Sequence, residues 1–548
     1  MTSRLGRLTS GLAGAAVLIG LLTVLARVAG FGRTFVFSQT VGTSCLSQAY
    51  FLANQIPNIV FEIVAGGALA SMVVPVLAGP VESGRRADVN RIASAMLTWV
   101  VLTLLPLSVL LALAAGPLMG LIVHGRAGTC DAGDVVTVAS DMLLVFAPQI
   151  VMYGLAVVLY GVLQAHRRFT GPAVAPLLSS LVVIGAYVAY ALAGTGRPND
   201  LSALPRRAEL TLSVGTTLGV VALVGTALVA IRPLRLGLRP ALTFPPGVAG
   251  RVVRLALAGV ATVAAQQIAT LAVMTLSNRD EAGGLAHYNY AWAVFLLPWA
   301  ILAVPIATSA FPLLSARAGD REAFDRITAS TTRAVVLASC AGAAALAAVA
   351  LPVAHLFDRR PGTFPEALAH TILAFTPGLL GYGLVAHLGR VLYAARKGRA
   401  SAGATVAGWL VVLVADIVLA LTVPPDRVVP ALGLGNTIGM TVAGAALLVA
   451  LGRARGRAPL AGLTRALTAG LVGGTAGALA GYGVAWGLGT GGLVRNLGVA
   501  IAAATVAAAV FTGIAALIDG RDLRAVLGRK AHGVPEGMTV RSEEAGRS

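Results

Sequence analysis

Charged side chains interrupt otherwise apolar sequence in one stretch of the chain, from Ala26 to Leu77. Arg27 and Arg33 lie in or at the end of a first apolar segment, and Glu62 lies inside a second one. An ionisable side chain in a bilayer costs several kcal/mol unless it faces a partner or a water-filled cavity. The two segments are therefore predicted to be membrane helices that form the wall of a polar cavity.

Glu62 has three interpretations. It could form an ion pair with either arginine and so neutralise an empty cavity, serve as a protonatable coupling group, or remain a neutral buried acid without a task. In the same segment, Pro57 and the pair Gly66 and Gly67 indicate a kinked or broken helix. Proline removes a backbone hydrogen bond and glycine weakens the helical turn, so such a break would give a gate its hinge.

The composition defines the class of protein. The chain has 548 residues, of which 57% are hydrophobic and 11% are charged, with a mean hydropathy of +0.84. No soluble globular domain carries so little charge, so an all-α polytopic membrane protein is predicted. The net charge of +19 does not indicate a nucleic-acid partner, because the arginines come in small groups between apolar segments. The sequence has neither a phosphate-cradling loop nor a metal-spaced set of His or Cys, so a transporter is predicted rather than an enzyme.

Apolar segments of about 20 residues, the length that a membrane helix requires, occur fourteen times. They cover approximately residues 10–36, 49–77, 92–115, 135–163, 170–193, 209–231, 250–276, 285–314, 333–356, 367–394, 401–422, 428–451, 463–488 and 496–518. The charged segment from Asp519 to Ser548 is predicted to be a disordered cytoplasmic tail.

Lys and Arg are distributed unevenly between alternate connecting loops. If the N-terminus is cytoplasmic, 30 of the 41 lie on the cytoplasmic side. Both termini are therefore predicted to lie inside, in a multi-pass protein of the bacterial cytoplasmic membrane. Cys45 and Cys130 then fall in the first two outer loops, where they could form a disulfide if the compartment is oxidising.

An internal repeat with an offset of 229 residues divides the chain. The segment from Val162 to Arg168, at the end of the fourth span, is similar to the segment from Val391 to Lys397, at the end of the tenth. Spans 2 and 8 also correspond loosely. An even number of spans between the copies preserves their orientation, so two six-helix halves around a central cavity are predicted. The predicted divisions are an N-terminal lobe over 1–231, a C-terminal lobe over 232–451, two further spans over 452–518 and a tail over 519–548.

Two motifs in the first two spans carry a family resemblance. The sequence reads ARVAGFGR in the first and QAYFLANQIPNIVFEIVAGGALASMVVPVL in the second. With these motifs the chain resembles the MurJ/MviN family of lipid II flippases, within the superfamily of multidrug and polysaccharide-lipid exporters. The resemblance implies a V-shaped cavity that opens alternately to the two sides, and passage of undecaprenyl-diphosphate-linked peptidoglycan precursor from the inner to the outer leaflet. The predicted substrate site comprises Arg27, Arg33, Asn54, Asn58 and Glu62. The predicted partners are the lipid-linked substrate, membrane lipids, and cell-wall synthesis or division proteins.

Arginine suits a diphosphate, because guanidinium groups bind phosphate oxygens through paired, charge-assisted hydrogen bonds. Arg27 and Arg33 are six residues apart, which leaves them about 240° apart around a straight helix. Gly30 and Gly32 between them would have to bend or unwind the helix if both arginines are to face one ligand. Alternatively, Arg33 extends to the outer interface as an ordinary anchor.

The chain departs from the family pattern at several charged positions. The acid that opens the second helix in the family is Gln48 here, and the basic pair after Pro-Asn is Phe61 and Glu62. In span 8, the aromatic region of Tyr290 and Trp292 lacks the charged pair of the family. These differences keep two other functions open: a non-transporting scaffold or regulator of cell-envelope synthesis, and an exporter of another polyprenyl-linked glycan.

A second polar cluster lies in the predicted C-terminal lobe. Asp416 is the only acid deep in spans 7 to 12, and Asn436, Thr437 and Thr441 in the next span could supply neutral oxygens. Hard cations bind such oxygen ligands, and the resemblance implies a sodium site in some family members. The alternative is a structural Asp416 that is hydrogen-bonded to a neighbouring helix. No bound cofactor is predicted, and transport is expected to be driven by Na⁺, by H⁺ or by the membrane potential.

Overall fold

The computed structural model describes residues 2–64, 70–124, 129–193, 198–246, 248–279, 284–358 and 365–527, and within these ranges the chain is helical without a β-strand. The first nine helices are α1 (Thr2–Thr40), α2 (Cys45–Phe61), α3 (Ala70–Glu82), α4 (Arg86–Leu113), α5 (Ala115–Val123), α6 (Ala132–Phe146), α7 (Gln149–Ala165), α8 (Thr170–Leu192) and α9 (Arg206–Ile231). Ten more follow: α10 (Val248–Leu276), α11 (Gly284–Pro298), α12 (Val304–Ala316), α13 (Arg321–Phe357), α14 (Pro365–Phe375), α15 (Gly378–Ala394), α16 (Gly398–Thr422), α17 (Val428–Arg455), α18 (Leu463–Leu488) and α19 (Leu493–Leu527).

Eleven helical segments of the described ranges are long and apolar enough to cross a membrane. The helices α14 and α15, which meet at an angle of 44°, make a twelfth if they count as one broken span. The two other spans predicted from the sequence fall on α2 with α3, whose connection lies outside the described residues, and on α10. The total of fourteen stays a prediction.

Large apolar side chains cover the outside of the helices. Leu113, Leu192 and Leu517 are 79%, 82% and 87% exposed, and many other Leu, Val and Ile side chains point outward in the same way. Apolar surface of this extent is unfavourable in water and suits contact with lipid. The described helices therefore form a multi-pass membrane protein.

The helix breaks follow the same offset as the sequence repeat. α6 and α7 are separated at Pro148, and α14 and α15 are separated at Pro377, 229 residues later. The turns that end α7 and α15 place Arg167 and Arg396 in the left-handed region, with φ of 56° and 58°. Positive φ is uncommon outside glycine, so its occurrence at both positions indicates that the two turns are built alike.

Wider, π-helical turns follow α2 and α11, which belong to the loosely corresponding spans 2 and 8. Residues 62–64 form such a turn directly after α2, and Trp299–Ala303 form one between α11 and α12, directly after Pro298. π-Helical turns inside longer helices often lie at functional sites. The interruption begins five residues after Pro57, and Gly66 and Gly67 lie outside the described residues.

The last two helices, α18 and α19, pack against each other and against α13. Small residues permit the close approach, since a Cβ at Gly477 would lie 2.7 Å from the Ala507 carbonyl oxygen. α19 kinks at Asp519 and continues to Leu527. The first residues of the predicted disordered tail are therefore helical, and those from 528 onward lie outside the described residues.

A buried ion pair joins α13 to α17. Arg455 Nε lies 2.7 Å from Asp325 Oδ1, with 14% and 8% of the two side chains exposed. The Arg455 guanidinium also lies 4.2 Å from the centre of the Phe324 ring. Glu322, on the same helix, forms a pair with Arg326 in which both side chains are largely exposed. Breaking a buried pair leaves an uncompensated charge, so the first pair has the larger structural role.

A disulfide links the start of α2 to the loop that precedes α6. It joins Cys45 to Cys130 with a Cα–Cα distance of 5.7 Å, whereas Cys340 is free and buried. The pairing that the sequence left open is thus formed in the structure. It fixes the corner between α1 and α2 to the corner between α5 and α6.

Candidate functional site

Arg33, Asn54 and Asn58 line one cavity of about 80 Å³ in the first half of the chain. α1 supplies the arginine, α2 supplies the two asparagines, and α7, α8 and α9 close the other sides. The remaining lining residues are hydroxyl-bearing, aromatic or aliphatic: Thr34, Phe37, Tyr50, Phe51, Tyr153, Ser179, Val183, Tyr187, Thr216 and Val220. Guanidinium, amide and hydroxyl groups all donate hydrogen bonds, and the space admits several waters or a phosphate-sized group. The cavity therefore suits an oxyanion.

A network of buried hydroxyl groups forms one side of this cavity. Tyr50 Oη lies 2.8 Å from Tyr187 Oη and 2.8 Å from Thr216 Oγ1, and Thr216 donates in turn to a backbone carbonyl one turn earlier. Sequence reasoning missed all three residues. Tyr50, Asn54 and Asn58 follow one another at intervals of four, so their common face on α2 could have identified Tyr50. Tyr187 and Thr216 stand in apolar helices without such a signal.

A second cavity, of about 200 Å³, lies between the two halves of the chain. Its polar and aromatic lining comes from α2 and the turn after it (Gln55, Asn58, Glu62), from α10 (Gln266, Gln267, Thr270), from α11 (Tyr288, Asn289, Trp292) and from α16 (Trp409). Asn58 lines both cavities, so the two adjoin at this residue. Amide groups and aromatic rings dominate the second cavity, with Glu62 as the one charged side chain among its described lining residues.

The two arginines of α1 do not line the same cavity. Arg33 lines the first, whereas Arg27 has an exposed side chain and lines neither of the two. α1 continues without interruption through Gly30 and Gly32. The break that would turn both arginines toward one ligand is absent from this conformation, and the two side chains stay on different faces of the helix.

Glu62 is exposed to the second cavity and, within the described ranges, forms no ion pair with Arg27 or Arg33. The ion-pair interpretation is therefore not realised in this conformation. On the opposite wall, the Trp292 ring lies 5.7 Å from that of Phe375 and 5.8 Å from that of Tyr382. Aromatic rings thus occupy the part of α11 where the family resemblance implies charged residues.

Asp416 is fully buried between α16 and α17, and Asn436 is 1% exposed. A Cβ at Gly435 would collide with the Asp416 carboxylate, which places the acid directly against α17 at the residue that precedes Asn436 in the chain. In the part of the chain that the structure describes, the two carboxylate oxygens of Asp416 have no hydrogen-bond partner. The amide oxygen of Asn436 has none either. Buried oxygens without partners are unusual, and this donor set fits a hard cation.

The two threonines of the predicted cation cluster are engaged elsewhere. Thr437 donates its hydroxyl to a backbone carbonyl of α14 at 2.6 Å, and Thr441 donates to the Thr437 carbonyl at 2.7 Å. Thr441 is also exposed. The structure therefore buries Asp416 and Asn436 on neighbouring helices and leaves the Thr441 side chain exposed.

Comparisons with known proteins agree with these features. The family described as lipid II flippase MurJ matches residues 37–503. The lipid II flippase MurJ of Burkholderia cenocepacia is 26% identical over 366 residues, which cover 66% of this chain and 68% of that protein. A solved structure of a lipid II flippase MurJ in an inward closed conformation covers 91% of this chain and 99% of its own, with a TM-score of 0.71 and 18% identity. An inward-facing multidrug transporter of the MATE family, in the MOP superfamily, gives a TM-score of 0.64 at 16% identity, over 79% of this chain and 94% of its own.

The all-helical membrane fold, with a polar cavity between its helices, has the architecture of these two solved structures. The family match over most of the chain makes the assignment specific. The chain belongs to the lipid II flippase MurJ family. The resemblance seen in the motifs of the first two spans is thereby confirmed.

Proposed function

We propose that this chain translocates lipid II, the undecaprenyl-diphosphate-linked peptidoglycan precursor, from the inner to the outer leaflet of the bacterial cytoplasmic membrane by alternating access. The observation that carries the proposal is the position of Arg33 beside Asn54 and Asn58 in a polar cavity between membrane helices. A guanidinium flanked by amide donors binds the oxygens of a diphosphate through charge-assisted hydrogen bonds.

The two adjoining cavities would divide the substrate by its chemistry. The first, beside Arg33, admits a phosphate-sized group and would hold the diphosphate. The second, reached past Asn58, would hold the sugar and peptide part against amide and aromatic side chains. With volumes of about 80 and 200 Å³, the cavities are smaller than the whole head group. The two halves of the chain must therefore separate to admit it, as alternating access requires.

Arg27 would act at a different stage from Arg33. Its exposed side chain lies on another face of α1, where it could meet the diphosphate before the head group enters the cavity. Glu62, which faces the second cavity without a cationic partner from α1, would keep that cavity unattractive to anions. Gly30 and Gly32 would contribute a hinge only in a state in which α1 bends.

For the architecture, we infer fourteen spans: one six-helix lobe over 1–231, a second over 232–451, two spans over 452–518 and a cytoplasmic tail, with both termini inside. Support comes from the coincident breaks and left-handed turns 229 residues apart, and from the packing of α18 and α19 on α13. The π-helical turns after α2 and α11 would be the hinges, with Pro57, Gly66 and Gly67 next to the first.

Asp416 and Asn436 would hold the coupling ion. Their unpartnered oxygens suit Na⁺, and the same carboxylate would take up the proton if H⁺ drives transport. A purified chain whose thermal stability rises with Na⁺ but not with K⁺, and whose Asp416→Asn variant loses that rise, would support a sodium site. Equal responses of the wild type to both ions would refute it.

The first test is complementation of a bacterium depleted of its own lipid II flippase. Growth and exposure of lipid II in the outer leaflet should both be restored by this chain. Failure, with the protein shown to be folded and inserted, would favour one of the other two functions: a non-transporting partner of cell-wall synthesis or division proteins, or an exporter of another polyprenyl-linked glycan. The uncharged Gln48 and Trp292 would then be the first positions to examine.

A further inference from the structure

Hydrogen bonds between described residues join the two halves of the chain at one end, where α1 ends and α2 begins. Gln48 Nε2 donates to Asn278 Oδ1 at 2.9 Å, Gln39 Nε2 donates to the Leu356 carbonyl at 2.8 Å, and Tyr290 Oη donates to a backbone carbonyl of the α1–α2 corner at 3.0 Å. Gln48 and Asn278 are 0% and 1% exposed. The charge distribution assigns this end to the outer side of the membrane.

Asn278 occupies a socket that two separate elements of the first half create. Its Oδ1 accepts from Gln48 in the first turns of α2, and its Nδ2 donates to the Ile122 carbonyl near the end of α5 at 3.0 Å. A side-chain amide that meets both partners at once depends on their relative position. If α2 and α5 move apart, Asn278 loses one of the two bonds and leaves a buried polar group unpaired.

The disulfide connects the two elements that form this socket. Cys45 lies three residues before Gln48, and Cys130 lies in the loop that links α5 to α6. The first turn of α2 is further fixed by reciprocal bonds between Ser44 and Ser47, at 2.9 and 3.2 Å. The disulfide thus ties the start of α2, which carries Gln48, to the loop that follows α5.

Aromatic rings surround the contact and exclude water from it. Phe357, at the end of α13, lies 5.5 Å from Phe35 of α1 and 5.5 Å from Tyr290 of α11. Phe37 lies 4.9 Å from Phe51 of α2. In such surroundings a hydrogen bond is stronger than in water, and a broken one is more costly. This end of the protein is therefore closed by neutral hydrogen bonds, and their strength depends on the relative position of α2 and α5.

We propose that the contact between Gln48 and Asn278 is a latch that keeps the outer side of the protein closed. The Cys45–Cys130 disulfide is the brace that holds these two positioning residues in place. Reduction by a dithiol breaks the S–S bond, yields two thiols and oxidises the dithiol to its own disulfide. The socket then loosens and the outer side opens more often. This inference rests on the proposed alternating access, and it makes this transporter sensitive to the redox state outside the membrane.

The test is hydrogen–deuterium exchange of the full chain in lipid nanodiscs, with and without dithiothreitol. The informative region is residues 277–290, which belong to the second half and contain no cysteine. Reduction of the wild type should raise amide exchange there about fivefold, the equivalent of one net hydrogen bond. The double variant Cys45→Ser, Cys130→Ser should show the same rise without reductant. Cys340→Ala, which removes only the free thiol, should respond to reductant as the wild type does.

A second variant separates the latch from a local effect of the disulfide. Asn278→Ala should raise exchange over 277–290 with the disulfide intact, and reduction should then add little, because brace and latch act through the same contact. Exchange that rises only around residues 41–48 and 129–131 on reduction would overturn the proposal, as would full additivity of reduction and Asn278→Ala. The exchange measurement needs no lipid-linked substrate. A result that overturns the latch would therefore not argue against the flippase function, and an absence of transport would not argue against the latch.

Discussion

Replacement of Arg33 by alanine is expected to reduce translocation of lipid II strongly, whereas replacement of Arg27 should have a small effect. Arg33 lines the first cavity next to two asparagines, and Arg27 lines neither cavity. The two alanine substitutions lie six residues apart on the same helix. One removes a charge that lines a cavity, and the other removes a charge that lines neither cavity. Arg27→Ala is therefore the comparison variant, which tests the weaker, earlier contact proposed for Arg27.

The expected magnitude follows from the contacts that Arg33 can make. A hydrogen bond to a charged group contributes roughly 1.5–3 kcal/mol, and about 1.4 kcal/mol corresponds to a factor of ten in affinity. Loss of one such bond from Arg33 to the diphosphate lowers transport about ten- to hundredfold at limiting substrate. Arg33→Lys keeps the charge and loses the paired geometry, so an intermediate loss is expected. For Arg27→Ala we expect less than about a threefold change, the range of a single exposed charge.

The assay is translocation of fluorescent lipid II in proteoliposomes that contain equal amounts of each purified variant. Thermal unfolding of Arg33→Ala should match that of the wild type, because the side chain is exposed to the cavity. An Arg33→Ala variant that keeps more than half of the wild-type rate would refute the role of the first cavity. Equal losses in the two alanine variants would instead show that α1 bends during transport and presents both arginines to the substrate.

Three further predictions concern other parts of the chain. Glu62→Gln should strengthen lipid II binding roughly two- to fivefold, because it removes a negative charge from the second cavity; unchanged or weaker binding would refute this role of Glu62. Asp325→Asn should lower the free energy of unfolding by about 3 kcal/mol, measured by thermal unfolding, because its buried arginine partner is left unpaired. Glu322→Gln, in an exposed pair, should change the free energy of unfolding by less than about 0.5 kcal/mol. Gly435→Ala should cost about 1–3 kcal/mol, because the new methyl group meets a buried carboxylate, whereas Gly483→Ala faces open space and should cost nothing measurable.

The class of protein and its family could be predicted from the sequence, because both depend on local features, namely long apolar segments and short motifs. Long apolar segments report membrane helices directly. The motifs around Arg33 and Asn58 are local, and Arg33, Asn54 and Asn58 line one cavity, whereas Arg27 does not. The partners that close that cavity, Tyr187 and Thr216, come from helices far along the chain. Only the packing of α8 and α9 brings them to Tyr50, and no spacing in the sequence contains that information.

The glycine pair of α1 does not interrupt the helix in this conformation. The sequence predicts a bend at Gly30 and Gly32 only if Arg27 and Arg33 face one ligand, and this bend stays a prediction for other states. In a bilayer, a backbone group that leaves the helix finds no water to replace its lost hydrogen bond. The helix therefore continues through both residues. The actual interruptions lie at π-helical turns next to Glu62 and Pro298, where the freed backbone groups are close to a polar cavity or to a proline.

α2 connects the proposed latch to both cavities. Its first turns carry the disulfide and Gln48, its polar face carries Asn54 and Asn58, and Glu62 follows in the π-helical turn beyond its end. A helix of 17 residues is about 25 Å long and behaves as a rigid lever over that distance. A tilt of about 10° at the latch therefore moves the far end by about 4 Å, enough to change the width of both cavities. Release of Asn278 at the outer side would in this way alter the grip on a diphosphate deeper in the membrane, without any separate signal between the two sites.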